Sequence, residues 1–129
     1  MFQVSKLHHL KVLDLSNNNI VTIEGLKEVN LLTWLSLSNN NIKTIESLQQ
    51  NVHLEHLDLS GNSISTVSDL SFLKNLKSLL LHRNKITSLR SVERVITSFY
   101  KLDLIKVKIS LIWRVVGWHF MFHRNLGSR

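Results

Sequence analysis

Cysteine and proline are both missing from the 129 residues, and glycine occurs only four times. Without cysteine the chain has no disulfide framework and no thiolate metal site. Its glycines (Gly25, Gly61, Gly117 and Gly127) are too scattered to build a phosphate-cradling loop. Asparagine is plentiful, yet no Asn-x-Ser/Thr glycosylation acceptor occurs. Met1–Lys6 lacks the basic start and long apolar core of a secretory signal. These absences predict a chain that works in the cytoplasm or nucleus. Acidic residues are also scarce, but unevenly so. Residues 1–69 set four lysines against seven carboxylates, a net of −3. Residues 70–129 set twelve basic groups against Glu93 and Asp103 alone, a net of +10. Such asymmetry marks either an electrostatic partner for the basic half or a tail foreign to the domain.

What the sequence does have is a repeat. Asn18, Asn40, Asn62 and Asn84 recur at one constant interval. The same interval relates Leu10, Leu32, Leu54 and Leu76; Leu13, Leu35, Leu57 and Leu79; and Leu15, Leu37, Leu59 and Leu81. Ile20, Ile42, Ile64 and Ile86 follow in phase, then Ile23, Ile45, Val67 and Leu89, then Leu26, Leu48, Leu70 and Val92. The unit reads L-x-x-L-x-L-x-x-N-x-I-x-x-I-x-x-L, and four copies in phase identify a solenoid. Leu13-Asp14-Leu15 and its copies alternate with period two, as a strand with its leucines inward requires. From Ile20 the apolar residues fall every three positions (Ile20, Ile23, Leu26, Val29), matching a 3₁₀ turn or short helix. One such coil encloses no core; stacking closes it and leaves a parallel sheet on the concave side. The asparagine stands where the chain leaves the strand, and is expected to point inward and satisfy backbone groups of its own coil and the next.

The segments LDLSNNNIVTIEGL (Leu13–Leu26), LSLSNNNIKTIESL (Leu35–Leu48) and LDLSGNSISTVSDL (Leu57–Leu70) resemble the short 22-residue class of intracellular leucine-rich repeat proteins. That class includes a regulatory subunit of protein phosphatase 1 and several ciliary and centrosomal scaffolds. The resemblance covers roughly Val4 to Thr97. It implies an α/β right-handed solenoid with parallel concave strands and a 3₁₀ or short-helix convex side. It also implies a protein-binding scaffold without catalysis or cofactor, in the cytoplasm, cilium, centrosome or nucleus. Residues 1–97 are expected to form the repeat domain, as four regular repeats after a partial first one. Residues 98–129 are expected to hold a degenerate fifth repeat and an atypical basic, apolar tail.

Both ends depart from the pattern. Val4 and Leu7 lie one full repeat before Leu26 and Val29, so the chain opens in the tail of a repeat, as a fragment or isoform of a larger protein would. Uncapped coil ends favour self-association. Leu102-Asp103-Leu104 resembles a fifth strand, but it falls one place late for the phase of Leu79 and Leu81, and Val107 replaces the asparagine. Ile109–Phe122 is apolar except for Ser110, Arg114, Gly117 and His119. It is too short to span a membrane, which takes about 20 residues. An improvised cap, a non-native tail and a membrane-surface segment remain alternatives for it.

Chemistry is hard to find. Ser16, Ser38 and Ser60 near Asp14 and Asp58 belong to the repeat's L-D-L-S phrase, and no Gly-x-Ser-x-Gly elbow accompanies them. His119 and His123 have helical ligand spacing but lack the glutamate of H-E-x-x-H. His8, His9, His53, His56 and His82 are scattered, so no metal site is expected. Glu24, Glu28, Glu46 and Lys27 read as a solvated convex face.

The concave sheet remains. Stacked in register, its columns read Val12, Trp34, His56, Ser78, Lys101; then Asp14, Ser36, Asp58, Leu80, Asp103. Beside them run Ser16, Ser38, Ser60, His82, Ile105 and Asn17, Asn39, Gly61, Arg83, Lys106. Trp34 with a polar rim has the composition of an interface anchor. The expected protein contacts are Trp34, His56, Asp58, Leu80, His82 and Arg83. A rival reading has Lys101, Lys106, Lys108, Arg114 and Arg124 docking on nucleic acid or anionic membrane, and is the weaker one.

Overall fold

A computed structural model describes residues 7–87 and the strand Lys106–Lys108. Each repeat unit contributes one three-residue strand. These are β1 (Val12–Asp14), β2 (Trp34–Ser36), β3 (His56–Asp58) and β4 (Ser78–Leu80), followed by β5 (Lys106–Lys108). They pair in chain order as one parallel sheet. The middle leucines lie opposite one another, Leu13 to Leu35 to Leu57 to Leu79. The ladder continues past the strand ends through Leu37 N to Asp58 O and Asn39 N to Ser60 O, and their copies.

Stacking explains the burial. Leu32, Leu35, Leu37 and Ile42 of the second coil are wholly buried, as are Leu54, Leu57, Leu59 and Ile64 of the third. Leu10, Leu13 and Ile20 of the first coil are only partly buried. The difference is one of neighbours, since β1 is the outer strand and the middle coils are covered on both sides.

The asparagines form a ladder whose direction reverses the expectation. Asn40 Nδ2 donates to its own coil at Leu37 O and to the preceding coil at Leu15 O, each at 3.0 Å. Its Oδ1 accepts from Ile20 N, 20 residues earlier. Asn62 repeats this on Leu59 O, Leu37 O and Ile42 N, and Asn84 on Leu81 O, Leu59 O and Ile64 N. Each asparagine thus reaches back, not forward. Asn18 makes the same own-coil bonds, to Leu15 O and Ser16 O, but has no partner in a preceding coil among the described residues and is exposed.

Two further expectations are corrected, and of the 3₁₀ turn or short helix expected opposite the sheet the turn is what the described residues show. The side opposite the sheet turns through i→i+3 bonds in tandem, Val29 N to Leu26 O and then Leu32 N to Val29 O. The bonds do not overlap, so they make successive turns, and no helix occurs among the described residues. Ser36, expected to face solvent, is 4% exposed. Its short side chain sits between the register partners Asp14 and Asp58, which rise above it. At the far edge, β5 is Lys106–Lys108, with Val107 opposite Leu79 and Lys106 opposite Ser78. Val107 therefore occupies the central strand position rather than the asparagine place, and Lys106 belongs to the column of Trp34. The last pairing interval, 28 residues from Ser78 to Lys106, is longer than the repeat, so the pairing does not fall on the local L-D-L phrase. Leu102–Leu104, Lys101, Asp103, Ile105 and the whole 109–129 segment lie outside the described residues.

Candidate functional site

Because side chains alternate along a strand, burying Leu35 and Leu57 turns Trp34 and His56 to the opposite, outward face. Register places the two side by side, and their rings stack 5.3 Å apart at an interplanar angle of 7°. Both are half-buried, each shielding one face of the other. Beyond Trp34 the row continues to Val12, which is 59% exposed. An apolar and aromatic row thus crosses three strands on the outside of the sheet.

Two residues along runs the row Asp14, Ser36, Asp58 and Leu80. Asp58 Oδ1 accepts from Ser60 N at 2.9 Å and Ser60 Oγ at 2.6 Å, which fixes that carboxylate in place. Asp14 Oδ1 accepts from Ser16 N at 2.9 Å. Hydrogen bonds from the Ser16 side chain and backbone hold the Asp14 carboxyl below its ordinary pKa, outweighing a small opposing desolvation. The serine of the L-D-L-S phrase is therefore the clamp of the aspartate.

A third row holds Ser16, Ser38, Ser60 and His82. Ser36 Oγ and Ser38 Oγ lie 3.2 Å apart. His82 is half-buried, and its Nδ1 is enclosed without a hydrogen-bond partner among the described residues. Next come Asn17, Asn39, Gly61 and Arg83, all with φ between 54° and 66°. Asn39 Nδ2 donates to Asn17 Oδ1 at 3.1 Å, and Arg83 Nη2 donates to Asn39 Oδ1 at 3.4 Å.

Of the six residues singled out by sequence, Trp34 and His56 are in direct contact and Asp58 and Leu80 are register partners. Arg83 instead bonds to Asn39, which was read only as a column member. Two features escaped the sequence reading. The Asp58–Ser60 clamp was passed over as repeat phrasing. Asn51, wholly buried, donates to Leu26 O and Val29 O while its Oδ1 lacks a partner. Its signal was available, because it interrupts an apolar column between Val29 and Leu73. Away from this face, a cavity of about 350 Å³ is lined by Thr44, Glu46, Gln49, Asp69 and Phe72 among others. It shares no residue with the six. Among the described residues, no group of three or more His, Asp or Glu side chains could hold a metal ion.

The comparisons agree with this architecture. A family model described as leucine-rich repeats (2 copies) matches residues 31–74, and another described as leucine rich repeat matches residues 2–42. No curated protein matches the sequence. Among solved structures, a leucine-rich repeat protein of Leptospira interrogans is 29% identical with a TM-score of 0.69, covering 81% of this chain and 27% of its own. Internalin C2 of Listeria monocytogenes is 25% identical with a TM-score of 0.62, covering 83% of this chain and 45% of its own. This chain thus spans less than half the length of either. A chain of the Drosophila melanogaster SNF/U2A′ complex shares the fold at 24% identity and a TM-score of 0.73, over 89% of this chain and 68% of that one. With a constant repeat phase, a parallel strand per coil and family matches that together span residues 2–74, over half of its length, the chain belongs to the leucine-rich repeat family.

Proposed function

We propose that this chain is a protein-interaction module that holds its partner on the concave sheet face, through Trp34, His56, Asp58, Leu80, His82 and Arg83. The observation that carries the reading is the Trp34–His56 stack. The core is complete without it, since Leu35 and Leu57 beneath are already wholly buried. Aromatic side chains left on a surface after the core is full are characteristic of interface anchors. Asp58, Ser60 and Arg83 supply a polar rim around them. A protein of the same fold is found in the SNF/U2A′ complex, which supports partner binding as the use of such a coil stack. No step of catalysis and no cofactor enters this reading, and the place of action is proposed to be inside the cell.

The test compares adjacent residues that face opposite ways. Trp34→Ala is expected to leave the melting temperature nearly unchanged and weaken partner capture by ~2 kcal/mol or more. Capture that survives Trp34→Ala but vanishes at raised salt would move the function to the basic half. There Lys106 and Lys108 flank Val107 on β5, and phosphate contacts weaken steeply with ionic strength.

A further inference from the structure

The second outward row has a distinctive relief. Ser36, 4% exposed, forms a low floor in β2, and its register partners on the two flanking strands are Asp14 and Asp58. Two strand spacings put those aspartates about 10 Å apart at Cα, wide enough for a flat group between them. Each carboxylate is steadied by a serine at Oδ1, and neither takes part in an ion pair among the described residues. About 7 Å back along the same strands stands the aromatic row of Trp34 and His56. The surrounding residues 1–69 are net acidic at −3, so the complementary ligand is a cation.

Among protein cations, guanidinium fits this relief best. It is flat, always charged and weakly hydrated, it presents a fork of donors to carboxylates, and it packs on aromatic rings. An ammonium is compact and strongly hydrated, and has neither a flat face nor a fixed fork of donors to span the two carboxylates. We propose that the sheet face takes an arginine side chain from an extended segment of its protein partner. The guanidinium sits over Ser36 between Asp14 and Asp58, with the Trp34–His56 row beside it. This rests on the concave-face reading and names the chemistry of the partner.

The full chain is titrated against a fluorescently labelled synthetic peptide of alternating arginine and serine, followed by anisotropy. Its twin carries citrulline, the uncharged isostere, in place of arginine. The citrulline peptide is expected to bind about tenfold more weakly. Asp14→Asn and Asp58→Asn are each expected to lower affinity for the arginine peptide about fivefold. Glu46→Gln, which removes the same charge from the side away from the sheet, leaves it unchanged. Equal binding of the two peptides, or an equal loss with Glu46→Gln, overturns the proposal. If Trp34→Ala weakens partner capture while the aspartate variants and citrulline change nothing, the arginine assignment falls and the concave face stands. If none of the variants matters, both fall. Oligomers that disperse with Asp58→Asn would make the occupant a second copy of the chain, and would equally overturn it.

Discussion

Arg83 reaches across an entire coil to donate from Nη2 to Asn39 Oδ1, 44 residues earlier, passing over Gly61. The gap is there because the intervening residue has no side chain. A Cβ built on Gly61 would collide with Asn39 Oδ1. Its φ of 66° is not the whole reason for the glycine, since Asn17, Asn39 and Arg83 hold the same left-handed conformation with side chains.

Gly61→Ala is therefore expected to cost ~1–2 kcal/mol in chemical denaturation, from the left-handed backbone together with displacement of Asn39. In an Asn39→Ala background the penalty should shrink to the backbone part alone. Equal penalties in both backgrounds would mean that the Asn39 contact is unimportant.

The two kinds of buried asparagine should behave differently. Asn62→Ala strands the Ile42 N–H, whose acceptor is Asn62 Oδ1, and should cost ~1–3 kcal/mol for that group alone. Asn51 donates to carbonyls that already accept from backbone, Leu26 O from Val29 N and Val29 O from Leu32 N. Replacing it removes a buried oxygen that has no partner. Asn51→Leu, matching Leu73 in the same column, should change stability by less than ~1 kcal/mol. Urea unfolding of both variants checks this.

Leu35→Ala should destabilise by ~2–5 kcal/mol through the cavity left in a wholly buried site. Trp34→Ala on the other face should cost far less, because only the stack on His56 is lost. A thermal melt that ranks them the other way would assign the tryptophan to the core.

The overall architecture was legible because it depends on phase, and phase is written in the columns of Leu13, Leu35, Leu57 and Leu79. Outward residues followed from the same alternation, which is how Trp34 and His56 were found. What the pattern could not convey was relief and direction. Ser36 is buried by the height of its neighbours, a property of the assembled sheet. Whether Asn40 reaches to the coil before or the coil behind depends on side-chain geometry, not on spacing. The fifth strand was misplaced because Leu102-Asp103-Leu104 satisfies the local rule, whereas pairing with β4 falls at Lys106–Lys108.

Acid should act at the Asp14 clamp. Its pKa is lowered in the folded chain by the Ser16 side chain and backbone N–H. The associated stability is present above the unfolded value near 3.8 and is lost as pH falls through the lower folded value. Asp14→Asn should remove that contribution at neutral pH and, with it, flatten the acid limb of the stability–pH profile below about pH 4. An unchanged acid limb in Asp14→Asn would show that the clamp contributes nothing there.

The backward reach of the asparagines has a consequence in time. During synthesis the N–H of Ile42 emerges 20 residues before Asn62, the residue whose oxygen accepts from it. At roughly 5–20 residues per second, each coil waits about 1–4 s for the side chain that completes it. A nascent solenoid of this kind therefore always trails one unfinished coil behind the ribosome, and each new coil finishes its predecessor before itself.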